Sequence, residues 1–466
     1  MPGLEPTGAE FAQRVDAAVR RLARHLDELA ASPAADVEHA KAAAAPFVEP
    51  MPEEGRPLEE LLERVFAAVP HSLNTAHPGY LAYIPGGGLP DSAIADLVSA
   101  TTNRYVGIGF AAPALAQLEA TVVRWLCDAV GLPEGAGGFL SSGGSVANLT
   151  ALVAARRERA GEDLARATVY VSDQAHHSVL RAAMIGGVPL ANVRSIESDD
   201  AFRVRVDALR ERMDADVRAG LRPFLVVANA GTTNTGAVDD MRALAEVARD
   251  RGAWFHVDGA YGGAFALTAR GRARLPGIER ADSVTLDPHK GLFVPYGTGA
   301  LLVRDVQALR RAMHATADYM HAAREHGEED AAASFADLSP ELSRGFRGLR
   351  LWLPLQMHGA RAFREMLDEK LELAQWAADE LARDARVEMV AWPQLSTFAF
   401  RARGEGDERT MRVMQRVNAA KRVHLSGTTL RGRFAIRVSI LSFRTHREHV
   451  EHALEDIRRA LDAEAA

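Results

Sequence analysis

Phe11, Val15, Ala18, Leu22, Leu26 and Leu29 recur at intervals of three and four residues. That spacing places them on one face of an α-helix. Thr7 and Glu10 have the spacing of a capping box, which fixes where the helix starts. A second stripe, Leu58, Leu61, Leu62, Val65 and Phe66, predicts another helix. The connector between them carries Pro46, Pro50, Pro52 and Pro57. Two amphipathic helices ahead of any strand cannot bury their apolar faces alone. They need another domain or a second subunit to pack on.

The period changes between about 138 and 305. Short β-rich runs appear at 167–173, 224–229, 254–258, 283–287 and 299–304, with helical pattern at 146–158 and 241–251. Strand–helix alternation predicts an α/β fold with a largely parallel sheet covered on both faces. In such sheets ligands bind beyond the carboxyl ends of the strands. The stretch 306–347 is charged and aperiodic, with a loop expected at 326–330. Helical pattern resumes with Leu349, Leu351, Trp352, Leu355 and Met357. Runs at 395–400 and 434–440, mixed with helices, predict a smaller C-terminal α+β domain. The expected division is a helical arm over 1–85, a large domain over 86–350 and a small domain over 351–466.

Composition narrows the class. A chain of 466 residues suggests two or three domains. It is 47% hydrophobic and 25% charged, which excludes a disordered, collagen-like or disulfide-scaffold protein. A net charge of −7 argues against nucleic acid as a partner. The single cysteine, Cys127, follows Trp125-Leu126 on an apolar helix and reads as core. No apolar stretch reaches membrane-spanning length, and Glu5, Glu10 and Asp16 stand where a signal peptide would be apolar. The expectation is a cytoplasmic protein without membrane contact.

The strand ends carry the chemistry. Asp173 and His176 follow one run, Gly231, Thr232 and Thr233 another, Asp258 ends a third, and Asp287, His289 and Lys290 close a fourth. Upstream, Ser141-Ser-Gly-Gly-Ser145 opens a helix whose backbone N–H groups suit a phosphate. One crevice is thus expected to hold an anion cradle, a lysine, an imidazole and a carboxylate. Pyridoxal phosphate uses all four: an aldehyde for the lysine, a phosphate for the cradle, a pyridine nitrogen for the carboxylate and a flat ring face for the imidazole.

His256-Val-Asp258-Gly-Ala260-Tyr followed by Asp287-Pro-His289-Lys290 resembles the group II pyridoxal-phosphate decarboxylases. These include the aromatic amino acid, glutamate and histidine decarboxylases. Ser142-Gly-Gly-Ser145, Asp173-Gln-Ala-His176, Gly231-Thr-Thr233, and Pro113 with Leu118-Glu119 also match, in family order, over about 77–347. Ile436-Arg-Val-Ser and Phe443-Arg-Thr445 match more weakly. The resemblance implies the fold-type I, aspartate-aminotransferase-like architecture and a homodimer clasped by the N-terminal helices. It implies that Lys290 bonds the cofactor, Asp258 pairs with the pyridine nitrogen, and Ala260 and His176 lie on opposite ring faces. Gly144 and Ser145 would hold the phosphate with Asp287 near it, Thr233 would lie near the ring, and His289 would sit by the substrate carboxylate. Tyr80, Tyr83, Ile84 and Pro85 fall where the family binds its substrate, here expected to be an aromatic or bulky apolar L-amino acid. The loop 103–110 would enter the partner's pocket.

Some positions depart from the family. Counting back from Phe346-Arg347 puts Phe335 where aromatic-type members carry a proton-donating tyrosine on a mobile loop. In the family that change accompanies oxidative formation of an aldehyde with oxygen consumption, in place of amine. Tyr319 or His289 could supply the proton instead. Asp287 replaces a common asparagine, Gly291 a tryptophan, and Gly86 a threonine. No metal is expected: His446, His449 and His452 lie three apart among charged residues and read as a solvated face. Arg437 and Arg444 could bind a substrate carboxylate, but as strand-end arginines they read first as structural.

Overall fold

The Thr7 hydroxyl accepts the Glu10 backbone N–H at 3.2 Å, and the Glu10 carboxylate accepts the Thr7 N–H at 2.7 Å. The first helix, Gly8–Glu28, therefore starts where the capping box predicts. The computed structural model describes residues 4–313, 334–404 and 406–464. A second long N-terminal helix, Leu58–Ala68, carries the other stripe. Val19, Leu22, Leu26, Leu61 and Val65 on these helices stay exposed.

The large sheet has seven strands: β1 (Gly137–Ser141), β2 (Ala167–Ser172), β3 (Val193–Ile196), β4 (Arg222–Asn229), β5 (Trp254–Gly259), β6 (Ser283–Leu286) and β7 (Gly299–Val303). Their order is β1-β7-β6-β5-β4-β2-β3, and β7 alone runs antiparallel to its neighbours. Successive residues of β4 feed opposite cores. Val226 and Ala228 face one cluster with Val257 and Leu302. Leu225 and Val227 face the other with Phe139 and Leu301. Burial on both faces is why these strands read as unbroken apolar runs.

A second, antiparallel sheet holds β8 (Val387–Ala391), β9 (Thr397–Ala402), β10 (Ser426–Leu430) and β11 (Arg433–Ser439) in the order β10-β11-β9-β8. Leu81, from the N-terminal segment, packs into its core with Phe398, Phe400 and Ile436. Helix Gly348–Ala382 runs through the expected border at 350 and kinks at Gly359, whose φ of 74° breaks the helix. Cys127 is buried, and burial pushes its thiol up to about 12. Among the described residues no helix is long and apolar enough to cross a membrane.

Candidate active site

The carboxyl ends of β1, β2, β4, β5 and β6 open on one pocket. Ser141 ends β1, and a tight Ser-Gly-Gly turn leads into helix Gly144–Ala155, whose first residues form one wall. A Cβ at Gly144 would stand 3.1 Å from Asp287 Oδ2 and 3.2 Å from the Ala260 Cβ, a tight fit that glycine avoids. Asp258 lies at the end of β5, 8% exposed. Its Oδ1 accepts the Ala260 N–H at 3.1 Å and its Oδ2 accepts from Asn148 Nδ2 at 2.9 Å. After β6, Pro288 starts a single helical turn, Pro288–Gly291, that carries His289 and Lys290. Lys290 Nζ reaches Asp287 Oδ2 at 2.9 Å, and Asp287 Oδ1 is buried without a partner.

His176 follows β2 and caps helix His177–Ile185. Its Nδ1 lies 2.8 Å from Ser178 Oγ, and burial holds its pKa below the ordinary imidazole value. His289 donates from Nδ1 to the Thr298 carbonyl at 2.7 Å, and burial lowers its pKa too. Beneath the pocket, His256 is wholly buried and burial pushes its pKa down to about 4. An unfolded histidine takes its proton near about 6.5. Between those values the unfolded chain binds more protons than the folded one, so His256 makes folding less favourable as pH falls below about 6.5. Asp239 works in the opposite sense. It accepts the Val204 and Asn229 N–H groups, yet burial raises its pKa to about 6. Its contribution favours folding in acid and is lost as pH rises through about 6. Urea midpoints at about pH 5 and pH 7.5 should therefore differ less in His256→Gln than in the wild type, and Asp239→Asn should widen the gap.

The pocket brings together Lys290, Asp258, His176, His289, Gly144, Ser145, Thr233, Ala260 and Asp287. Tyr80, Tyr83, Ile84 and Pro85 do not line it. Tyr80 stacks on His424, Tyr83 is exposed, and Ile84 packs on the main core. Their segment meets the pocket rim indirectly, through the Gly87 N–H on the His289 carbonyl at 3.2 Å. Phe335 is also elsewhere. It is 1% exposed in the core, with the Arg344 guanidinium 4.9 Å over its ring, rather than on a loop facing the pocket. An aromatic ring without a polar atom is stabilised there by burial. Tyr319 and 326–330 lie outside the described residues.

Two departures have steric reasons. A Cβ at Gly291 would stand 2.4 Å from the Ala264 Cβ, and one at Gly86 would stand 2.6 Å from the Tyr296 ring. Gly291 admits no larger side chain in this packing, whereas at Gly86 the exposed Tyr296 ring would have to swing aside. Asp36, His39 and His71 cluster with ligand atoms within 4.8 Å, but Lys421 Nζ holds Asp36 at 2.9 Å, which makes this an ion-pair group.

Sequence reasoning passed over two buried polar side chains, Asn148 and Ser178, and read a third, Arg437, first as structural. Asn148 and Ser178 both line the pocket. Arg437 is 3% exposed, donates to Ser426 Oγ at 3.1 Å and leaves Nε and Nη2 without partners. Burial drives its pKa down to about 10, with Tyr261, Tyr83 and Tyr80 nearby. The available signal for Asn148 was an amide inside the otherwise apolar stretch Val146-Ala-Asn-Leu.

The chain is similar to known proteins along most of its length. The family described as "Pyridoxal-dependent decarboxylase conserved domain" matches residues 43–403. An aromatic-L-amino-acid decarboxylase of Bacillus atrophaeus is 34% identical, over 98% of this chain and 96% of its own. A crystal structure of Oryza sativa TDC with PLP and tryptamine superposes with a TM-score of 0.93 at 27% identity, covering 99% of each chain. That of Rhodiola rosea 4-hydroxyphenylacetaldehyde synthase gives 0.90 at 26% identity, covering 98% of this chain and 99% of the other. With a match of that length added to a lysine, a carboxylate and an imidazole converging at the sheet's carboxyl edge, the chain belongs to the group II pyridoxal-dependent decarboxylases and is a pyridoxal-phosphate-dependent carboxy-lyase acting on an amino acid.

Proposed function

We propose that this enzyme converts an aromatic or bulky apolar L-amino acid into its amine and carbon dioxide, with Lys290, Asp258 and His176 at the centre of the reaction. One observation carries the reading. Lys290 Nζ and the Asp258 carboxylate share a pocket that opens on the N-terminus of helix Gly144–Ala155.

The residues fit pyridoxal phosphate. Gly144 leaves space, the first turn of helix Gly144–Ala155 offers backbone donors suited to a phosphate, and Lys290 lines the same pocket. Bound cofactor supplies an aldehyde for amine exchange and an electron-accepting ring. Lys290 would hold the aldehyde, Gly144 and Ser145 the phosphate, and Thr233 would lie beside the ring. Ala260 and His176 would bracket the ring faces. Asp258, fixed by two hydrogen bonds, would keep the ring nitrogen charged. His289 would stand by the substrate carboxylate. Arg437 is a further candidate for that role, since its buried cation lacks partners for two nitrogens. The relatives' names support an aromatic substrate.

A homodimer is part of this reading. The exposed apolar residues of helices Gly8–Glu28 and Leu58–Ala68 support packing on a second copy, and the loop 103–110 would then reach the partner's pocket. We place the enzyme in the cytoplasm.

Asp287 gives a separate test. Its carboxylate touches the space where Gly144 would receive a phosphate dianion, and like charges repel across such a gap. Asp287→Asn is expected to bind pyridoxal phosphate about tenfold more tightly, read by titration of the cofactor-free protein. Weaker binding would make the carboxylate a ligand rather than an obstacle.

A second reading, aldehyde formation with oxygen, is favoured by the likeness to the Rhodiola synthase and by phenylalanine at position 335. Phe335 lies off the pocket, which is why amine formation leads. Incubation with tryptophan, tyrosine, phenylalanine and histidine, following carbon dioxide, amine and oxygen together, decides. Amine without oxygen uptake supports the first reading; stoichiometric oxygen uptake with aldehyde supports the second; no carbon dioxide from any of them removes the proposed substrate class.

A further inference from the structure

Asn148 is 3% exposed, and all four hydrogen-bonding positions of its amide are taken. Nδ2 donates to Asp258 Oδ2 at 2.9 Å and to Ser178 Oγ at 3.0 Å. Oδ1 accepts from Thr285 Oγ1 at 2.7 Å and meets His256 Nε2 at 3.0 Å. These partners orient the group. An ionised carboxylate only accepts, so the amide nitrogen must face Asp258. The amide oxygen then faces His256, whose Nε2 must carry the proton. His256 Nδ1 is left to accept from the Ser283 hydroxyl at 2.8 Å.

The other branch runs to His176. Ser178 Oγ accepts from Asn148, so its own proton goes to His176 Nδ1, 2.8 Å away. The Ser178 backbone N–H points at the same nitrogen at 3.3 Å. Nδ1 is thus held as an acceptor, and the ring proton sits on Nε2. A chain of hydrogen bonds in a water-poor interior strengthens each member, and an unpaired member is costly.

We propose that Asn148 is a positioning residue that joins the two ends of the reaction centre: it aims Asp258 directly and, through Ser178, fixes His176 as the Nε2–H tautomer. The inference rests on the roles given to Asp258 and His176 under the proposed function. The bond from Nδ2 holds one carboxylate oxygen, and the Ala260 N–H restrains the other. Asp258 is thereby aimed before any cofactor enters. A purely structural tie between helix Gly144–Ala155 and strands β5 and β6 would cost stability on removal and nothing else.

The test uses Asn148→Ala and, as a milder cut, Ser178→Ala, which severs only the His176 branch. In the cofactor-free full chain, nitrogen NMR of His176 should show the Nε2–H tautomer in the wild type and a mixture in both variants. Each protein is then loaded with pyridoxal phosphate or with an analogue carrying carbon in place of the ring nitrogen. With pyridoxal phosphate, Asn148→Ala should lower kcat roughly ten- to a hundredfold with little change in KM. With the carbon analogue the loss in Asn148→Ala should shrink to that of Ser178→Ala, because Asp258 then has no nitrogen to act on and only the His176 branch is cut. Ser178→Ala should lower kcat with both cofactors. Equal losses for Asn148→Ala with both cofactors, or an unchanged His176 tautomer in Ser178→Ala, overturn the inference. If the wild type forms no borohydride-trapped adduct at Lys290, the proposed function falls and takes the inference with it; with that adduct present, the other failures count against the inference alone.

Discussion

Lys290→Ala is expected to lose about a thousandfold or more of carbon dioxide release, because the group that exchanges amines with the substrate is gone. The position supports so large an effect. Lys290 sits on a one-turn helix pinned by its own N–H on the Asp287 carbonyl at 2.8 Å and by the His289 N–H on the Thr298 carbonyl at 3.2 Å. Its side chain is about a quarter exposed, at 24%, so it is both held and reachable. It is the one lysine lining the pocket among the described residues. Loss of the ammonium also leaves Asp287 buried without its counter-charge, which by itself costs stability. Lys290→Arg separates the two effects. Arginine keeps a cation beside Asp287 but forms no stable bond with the aldehyde. Both variants should therefore lose the borohydride-trapped adduct and the activity, while Lys290→Arg should keep the wild-type urea midpoint. An adduct that survives in either variant, located by mass spectrometry at another lysine, would displace Lys290 from its role.

The residues just discussed were legible in the sequence for a definite reason. The strands they follow are buried on both faces, so 224–229, 254–258 and 283–287 stand out as apolar runs with polar residues at their ends. Strands without that signature were missed. β1 begins with two glycines, β10 reads Ser-Gly-Thr-Thr-Leu, and β3 is a four-residue edge strand containing Arg194 and Ser195. The antiparallel course of β7 had no local mark either. Asn148 escaped notice because its partners lie 110, 108 and 30 residues away in the chain. No local pattern encodes such a network. Phe335 shows the converse. A count along the chain matched it to a family position, but its neighbours in space are Arg344 and core residues. Register says which residue corresponds, and packing says what it touches.

Packing also sets a large expected effect on stability. Glu119, on helix Pro113–Val130, and Arg344, just ahead of helix Gly348–Ala382, meet at 2.6 Å with both side chains 0% exposed. Two charges taken out of water stay there only while each offsets the other, so removing one partner costs about 3–5 kcal/mol. Each has further work. Glu119 Oε2 accepts the Gly348 N–H at 3.0 Å, and Arg344 Nη2 donates to the Leu140 carbonyl at 2.6 Å. Space is tight as well: a Cβ at Gly348 would stand 2.7 Å from the Glu119 Cβ, so the helices cannot shift apart or together to relieve a mismatch. Glu119→Gln keeps the shape and removes the charge. It is expected to lower unfolding free energy by about 3–5 kcal/mol in urea titrations. Replacing both residues with leucine should cost less than the single change, since no charge is left unpaired. A Glu119→Gln variant within about 1 kcal/mol of wild type would mean that Arg344 is balanced by the Leu140 carbonyl and the Phe335 ring instead. Leu140 is one residue before Ser141, where β1 ends and the turn into the pocket begins. Loosening this pair should therefore also weaken cofactor retention, and Glu119→Gln should release pyridoxal phosphate faster than the double variant does.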